Sequence, residues 1–188
     1  HSIKLPEKTI IDGGGAEIGS WIFCFENLES VNFNGMQGAK VEDLSSLVKL
    51  KYLYCNKCNI KSIASLHNNK SLVWLEASHN NIKSLNGISS LTNLNALIIG
   101  NNELTEISEL TELPGLQIID MRSNNISDLE PVRAMHSVTI LNASKNQITK
   151  LPDPFNHFKS PWQALYRLHR PLQDIPDALT HHLQIPCF

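Results

Sequence analysis

The stretch Leu72-Val73-Trp74-Leu75-Glu76-Ala77 decides the fold, because the chain repeats it. Leu94-Asn95-Ala96-Leu97-Ile98-Ile99 keeps leucine at the same first and fourth positions, and Leu50-Lys51-Tyr52-Leu53-Tyr54-Cys55 does so upstream. Leu116 to Met121 and Val138 to Ala143 follow the same frame, and a degenerate copy begins at Leu28. The starts are 28, 50, 72, 94, 116 and 138, so every step is 22 residues. Six copies without slippage mark a repeat architecture, in which no copy can bury its apolar face alone and each must stack on the next.

The spacing inside a copy says what is stacked. From Leu72 the apolar positions run Leu75, Ala77, Ile82, Leu85, Ile88 and Leu91, with Asn80 at the ninth place. Leu94 opens the same series: Leu97, Ile99, Asn102, Leu104, Ile107, Leu110 and Leu113. The early positions alternate, as a strand with one buried face requires. The later ones recur every third residue, the period of a 3-10 turn. The pattern is that of leucine-rich repeats. The expected fold is therefore an α/β, right-handed leucine-rich-repeat solenoid, a horseshoe with one parallel sheet on its concave face and short 3-10 or irregular segments on its convex face. Strands are expected near 30–34, 52–56, 74–78, 96–100, 118–122 and 140–144. Asn80, Asn102, Asn124 and Asn146 are expected to turn inward as a ladder, their amides serving backbone groups where the chain leaves the strand.

Three segments follow: residues 1–27 as an N-terminal cap, 28–158 as six 22-residue repeats, and 159–188 as a C-terminal cap or partly disordered tail. Solenoid ends expose a cut core and need covering. Ile18, Trp21, Ile22 and Phe25 fall at helical spacing and fit the first cap. Six prolines between Pro152 and Pro186 forbid one long helix in the tail.

The repeats resemble the short 22-residue leucine-rich-repeat class typified by a nuclear regulatory subunit of protein phosphatase-1, a length that bacterial internalins share. Leu91-Thr92-Asn93-Leu94 and Ile148-Thr149-Lys150-Leu151 carry the resemblance in their turns, and it covers residues 28 to about 158. It implies a binding function: a protein-binding adaptor that engages its partner through the concave face, with a phosphatase-1 regulator or an internalin-like surface adhesin as narrower alternatives.

Bulk composition restricts the function further. The 188 residues carry 41% hydrophobic and 18% charged side chains and a formal net charge of -2, a globular balance with no electrostatic case for nucleic acid. No apolar run reaches the roughly 18–20 residues that span a bilayer. The chain opens on His1 and shows no signal peptide, which reads as a processed product or an excised fragment. Four cysteines in a chain of this size need not be disulfides, and a reducing compartment, cytoplasmic or nuclear, is expected. A monomer with no cofactor and no enzymatic activity is the corresponding expectation.

Several motifs resolve into structure once placed in register. Cys55-Asn56-Lys57-Cys58 has the C-x-x-C form of a zinc or redox site. Cys55, however, occupies the core position of Ala77 and Ile99, and Cys58 the ninth place, where the pattern allows Cys. No second pair follows to complete a zinc site. Gly13-Gly14-Gly15 with Gly19 lacks both the dinucleotide and the P-loop spacing. His169, His181 and His182 read as solvated tail residues. Trp162 to Arg167 faintly resembles the start of a calmodulin-binding motif, with Leu168 in place of the expected glycine, and a capping helix is the better reading. Asn69, Asn125 and Asn142 begin glycosylation tripeptides of the kind that an Asn-rich chain produces by chance.

The concave face carries the functional expectation. The third, fifth and seventh places of each copy point away from the core. They bring Tyr52, Tyr54, Trp74, Ile98, Ile118 and Ile140 into a contiguous apolar stripe on a face that packing alone leaves wet, the mark of an interaction site. Glu76, Asp120 and Arg122 supply polar registration around it. Small Ala96 beside large Trp74 is expected to leave a step that takes a partner's side chain.

Overall fold

The computed structural model describes residues 27–36, 41–149 and 152. Six strands form one sheet in chain order: β1 (Ser30–Asn32), β2 (Tyr52–Tyr54), β3 (Trp74–Glu76), β4 (Ala96–Ile98), β5 (Ile118–Asp120) and β6 (Ile140–Asn142). All neighbours are parallel and pair at an offset of one repeat, Leu53 with Leu75 and Leu75 with Leu97. The return segments hold the 3-10 helices Val41–Ser46, Ala64–Asn68, Ile88–Ser90, Ser108–Glu112 and Glu130–Ala134. This is the leucine-rich-repeat horseshoe that the periodicity predicts.

The strands are three residues long, not five. The physical reason lies at the eighth place of each copy. Gly35, Lys57, His79, Asn101, Ser123 and Lys145 all adopt positive φ, between 54° and 80°. That turn ends the extended backbone, so Asn34, Asn56, Ser78, Gly100, Arg122 and Ser144 lie just beyond the strands. Pairing between copies nevertheless continues through the turn. The amide of Lys57 donates to the carbonyl of Ser78 at 2.9 Å, and His79, Asn101 and Ser123 do the same one copy on. These bonds hold four side-chain-bearing residues in a conformation that ordinarily favours glycine.

The core is a single apolar column. Leu53, Leu75, Leu97, Ile119 and Leu141 point inward from the strands and are fully buried. The third-residue spacing downstream follows from i to i+3 bonds such as Leu66 to Ile63 and Leu72 to Asn69. The asparagine ladder is present. Asn80 Nδ2 donates to the carbonyls of Cys55 and Ala77, both at 2.9 Å, while its Oδ1 accepts from the amides of Cys58 and Ile60. Asn102, Asn124 and Asn146 repeat the arrangement along the solenoid. Each joins its own turn to the copy before it.

One buried polar residue escapes the pattern. Asn69 stands at the twentieth place, where the other copies carry Leu47, Leu91, Leu113 and Met135, and it is fully buried. Its Nδ2 donates to the carbonyls of Leu44 and Leu47, each at 2.9 Å, tying the first return segment to the second. A side chain so enclosed is no glycosylation acceptor in the folded protein. The caps expected at 1–27 and 159–188, the glycine run, the tail histidines and the calmodulin-like stretch lie almost wholly outside the described residues.

Gly87 also has a fixed role. Its φ is +86°, and a Cβ there would sit 2.7 Å from the carbonyl oxygen of Ala64 in the preceding copy. Gly87→Ala is expected to lower stability by about 1–2 kcal/mol, readable as a lower urea midpoint, because both backbone strain and a backbone clash oppose it. An unchanged midpoint would contradict this close packing.

Candidate functional site

The concave sheet face is built by the third and fifth places of each strand. Register pairs Tyr52 with Trp74, Trp74 with Ala96, Ala96 with Ile118 and Ile118 with Ile140. The apolar stripe is therefore contiguous across five strands. Its ends are the most open: Tyr52 is 40% exposed and Ile140 43%. Trp74, Tyr54, Ile98 and Ile118 are half-buried. Ala96 differs from expectation, since it is fully buried. Its methyl lies between the larger side chains of Trp74 and Ile118 at sheet spacing, and they cover it. No open step remains beside Trp74.

The polar residues are organised rather than free. Trp74 Nε1 donates to Glu76 Oε1 at 2.9 Å, and Asn56 Nδ2 donates to Glu76 Oε2 at 3.0 Å. Asn56 in turn accepts the Ser78 amide at 2.7 Å, while Asn34 accepts the Asn56 amide at the same distance. Asn34 and Asn56 thus form the scaffold that orients Glu76, a role the sequence analysis did not assign them. Their succession at the seventh place of consecutive copies was the available signal. Burial first, and then the Glu76 charge and Tyr52, push the Tyr54 phenol above its usual range.

Asp120 is tied to its own neighbour. Arg122 Nη2 lies 3.0 Å from its Oδ2, and the Arg122 amide donates to its Oδ1. The Asp120 side chain is only 16% exposed against 53% for Arg122, so the guanidinium is what this pair offers to solvent. Gly100 makes room for it, as a Cβ there would approach Arg122 Cγ to 2.9 Å. A shallow depression of about 420 Å³ opens beside these groups, lined among others by Asn56, Glu76, Ile98 and Arg122.

The cysteine pair lies behind this face. Cys55 and Cys58 are both free and buried. Cys55 Sγ donates to the Glu76 carbonyl at 3.2 Å, and Cys58 Sγ to the Phe33 carbonyl at 3.0 Å. Burial pushes both thiols up, strongly for Cys55. Among the described residues no group of three His, Cys, Asp or Glu side chains could hold a metal ion. Neither thiol is expected to react with iodoacetamide in the native protein near neutral pH, since the thiolate is the reactive form. Peptide mapping after native alkylation measures this, and a modified Cys55 would contradict it.

A leucine-rich-repeat solenoid whose sheet face carries a part-exposed apolar stripe is the class that fold and site define. Residues 93–134 match the family model described as leucine-rich repeats (2 copies). No curated protein sequence matches the chain. Among solved structures, an internalin C2 of Listeria monocytogenes is 23% identical with a TM-score of 0.63, covering 77% of this chain and 60% of that one. A leucine-rich-repeat protein of Leptospira interrogans is 21% identical at a TM-score of 0.61, covering 72% and 36%. The ectodomain of an Arabidopsis thaliana membrane receptor kinase, in complex with Casparian strip integrity factor 2, is 24% identical at a TM-score of 0.56, covering 72% and 20%. The chain thus spans three-fifths or less of each of these structures. No helix among the described residues is long and apolar enough to cross a membrane.

Proposed function

We propose that the protein is a binding module, without chemistry of its own, that holds a partner protein against its concave face. The observation that carries this reading is the apolar stripe from Tyr52 to Ile140, continuous over β2 to β6 and open to solvent at both ends. A face that serves only the fold has no use for adjacent Tyr and Trp side chains, the residues that anchor protein interfaces. The receptor-kinase ectodomain of the same fold, solved with its factor, supports the reading. The free, buried state of Cys55 and Cys58 supports a reducing compartment, cytoplasmic or nuclear.

The test begins with protein fragments displayed in a library and selected on the immobilised protein. Binders are then titrated against Tyr52→Ser and against Val48→Ser, a more exposed apolar residue off the sheet face. Tyr52→Ser is expected to weaken binding about fivefold, roughly 1 kcal/mol. Val48→Ser is expected to leave it unchanged. The opposite ranking would move the interface off the concave face. Including phosphatase-1 catalytic subunit among the titrated proteins tests the narrower regulator reading directly, and an adhesin reading predicts no affinity for it.

A further inference from the structure

Two adjacent strands place three aromatic rings and one carboxylate at the corners of a rectangle. Tyr52 pairs in register with Trp74, and Tyr54 with Glu76. Sheet geometry puts the pairs about 5 Å apart across the strands and about 7 Å apart along them. Leu53 and Leu75, between the corners, point into the core and are fully buried, so all four corner side chains share the open face.

Glu76 is fixed but not neutralised. Its two oxygens accept one hydrogen bond each, from the Trp74 indole and the Asn56 amide, and both donors are uncharged. Neither bond brings a compensating charge, and each oxygen keeps acceptor capacity. Of the cations near this face, Lys51 pairs with Glu29 at 2.8 Å and Arg122 with Asp120 at 3.0 Å, while Lys57 lines the same depression as Glu76. Among the described residues the carboxylate has no ion-pair partner. Beside it on the same sheet face stand Tyr52, Tyr54 and Trp74, whose rings carry negative quadrupole charge on their faces, the side that attracts cations.

We propose that the rectangle Tyr52, Tyr54, Trp74 and Glu76 is the receptor for an arginine side chain presented by the partner protein. A guanidinium is the cation that suits both halves of the site, since it stacks flat on an aromatic ring while its edge donates hydrogen bonds to a carboxylate. An ammonium offers a point charge and no stacking plane. The inference rests on the concave face being the docking surface, and it narrows that reading to a partner with an exposed arginine at the contact.

The experiment follows the Trp74 indole N–H resonance in nitrogen-15 labelled protein, assigned through Trp74→Phe, during titration with acetyl-Gly-Arg-Gly-amide. The same peptide with citrulline in place of arginine keeps the planar shape but loses the charge, with a carbonyl acceptor in place of one nitrogen donor, and a third carries lysine. The arginine peptide is expected to give a saturable shift with a dissociation constant on the order of millimolar. Citrulline is expected to bind at least tenfold more weakly, and lysine at least threefold more weakly. Glu76→Gln and Tyr52→Leu should each reduce the arginine affinity at least tenfold, with the rest of the spectrum intact. No saturable shift with arginine, or an equal shift with lysine, overturns the assignment. An equal shift with citrulline also overturns it, while leaving concave docking of an uncharged partner group in place.

Discussion

Asn102→Ala is expected to lower the stability of the fold by about 3 kcal/mol or more. The side chain is 8% exposed and lies in the middle of the ladder. Its Nδ2 donates to the carbonyls of Ala77 at 2.9 Å and Ile99 at 3.0 Å, and its Oδ1 accepts from the amide of Ile82 at 3.0 Å. Alanine leaves these three buried backbone groups without their partner, at roughly 1–3 kcal/mol for each that water cannot reach. The loss is a large share of the roughly 5–15 kcal/mol that a domain possesses. It also falls on the contact between neighbouring copies, which carries the cooperativity of a solenoid. Urea unfolding followed by circular dichroism measures it. Asn102→Cys is expected to recover part of the loss, because Cys58 already fills this place and donates to the carbonyl of Phe33. An alanine variant as stable as the wild type would show that the ladder is incidental.

Trp74→Ala is expected to weaken partner binding roughly thirtyfold, about 2 kcal/mol, the effect of truncating a central aromatic anchor. Its effect on the fold is smaller but not zero. Trp74 is half-buried, donates to Glu76 and covers Ala96 with Ile118. A cost of about 1 kcal/mol, or roughly 2–4 °C in melting temperature, is expected. Titration of a selected binder, paired with thermal unfolding of the same two proteins, separates the effects. Trp74→Phe keeps an apolar ring and loses the indole donor, so its affinity should fall between the two. Unchanged affinity in the alanine variant would remove the stripe from the interface. A collapse of stability would make Trp74 a structural residue and withdraw its functional role.

The sequence by itself determined the architecture. A 22-residue step poses the same burial problem six times, so the position of any residue in its copy tells which face it occupies. That is why Leu75 and Cys55 could be assigned to the core, Asn80 and Asn102 to the inward ladder, and Tyr52, Trp74 and Ile118 to the open face from register alone. The tertiary structure decided what depends on neighbours one repeat away. The eighth place carries Gly, Lys, His, Asn, Ser and Lys, with no common chemistry, yet all six turn to positive φ, and strand length follows from that turn. Ala96 is covered because larger side chains happen to flank it on both adjacent strands, which closes the step that its size alone suggested. Asp120 is bound to Arg122 while Glu76 is held by Trp74 and Asn56, although both acids occupy the fifth place of their copies. Asn69 fills a leucine position because two carbonyls of the preceding copy converge on it. In each case the deciding atoms lie 20 to 25 residues away in sequence, or arise from how neighbouring side chains share one surface. A pattern read one position at a time records the place of a residue but not the company that stacking gives it.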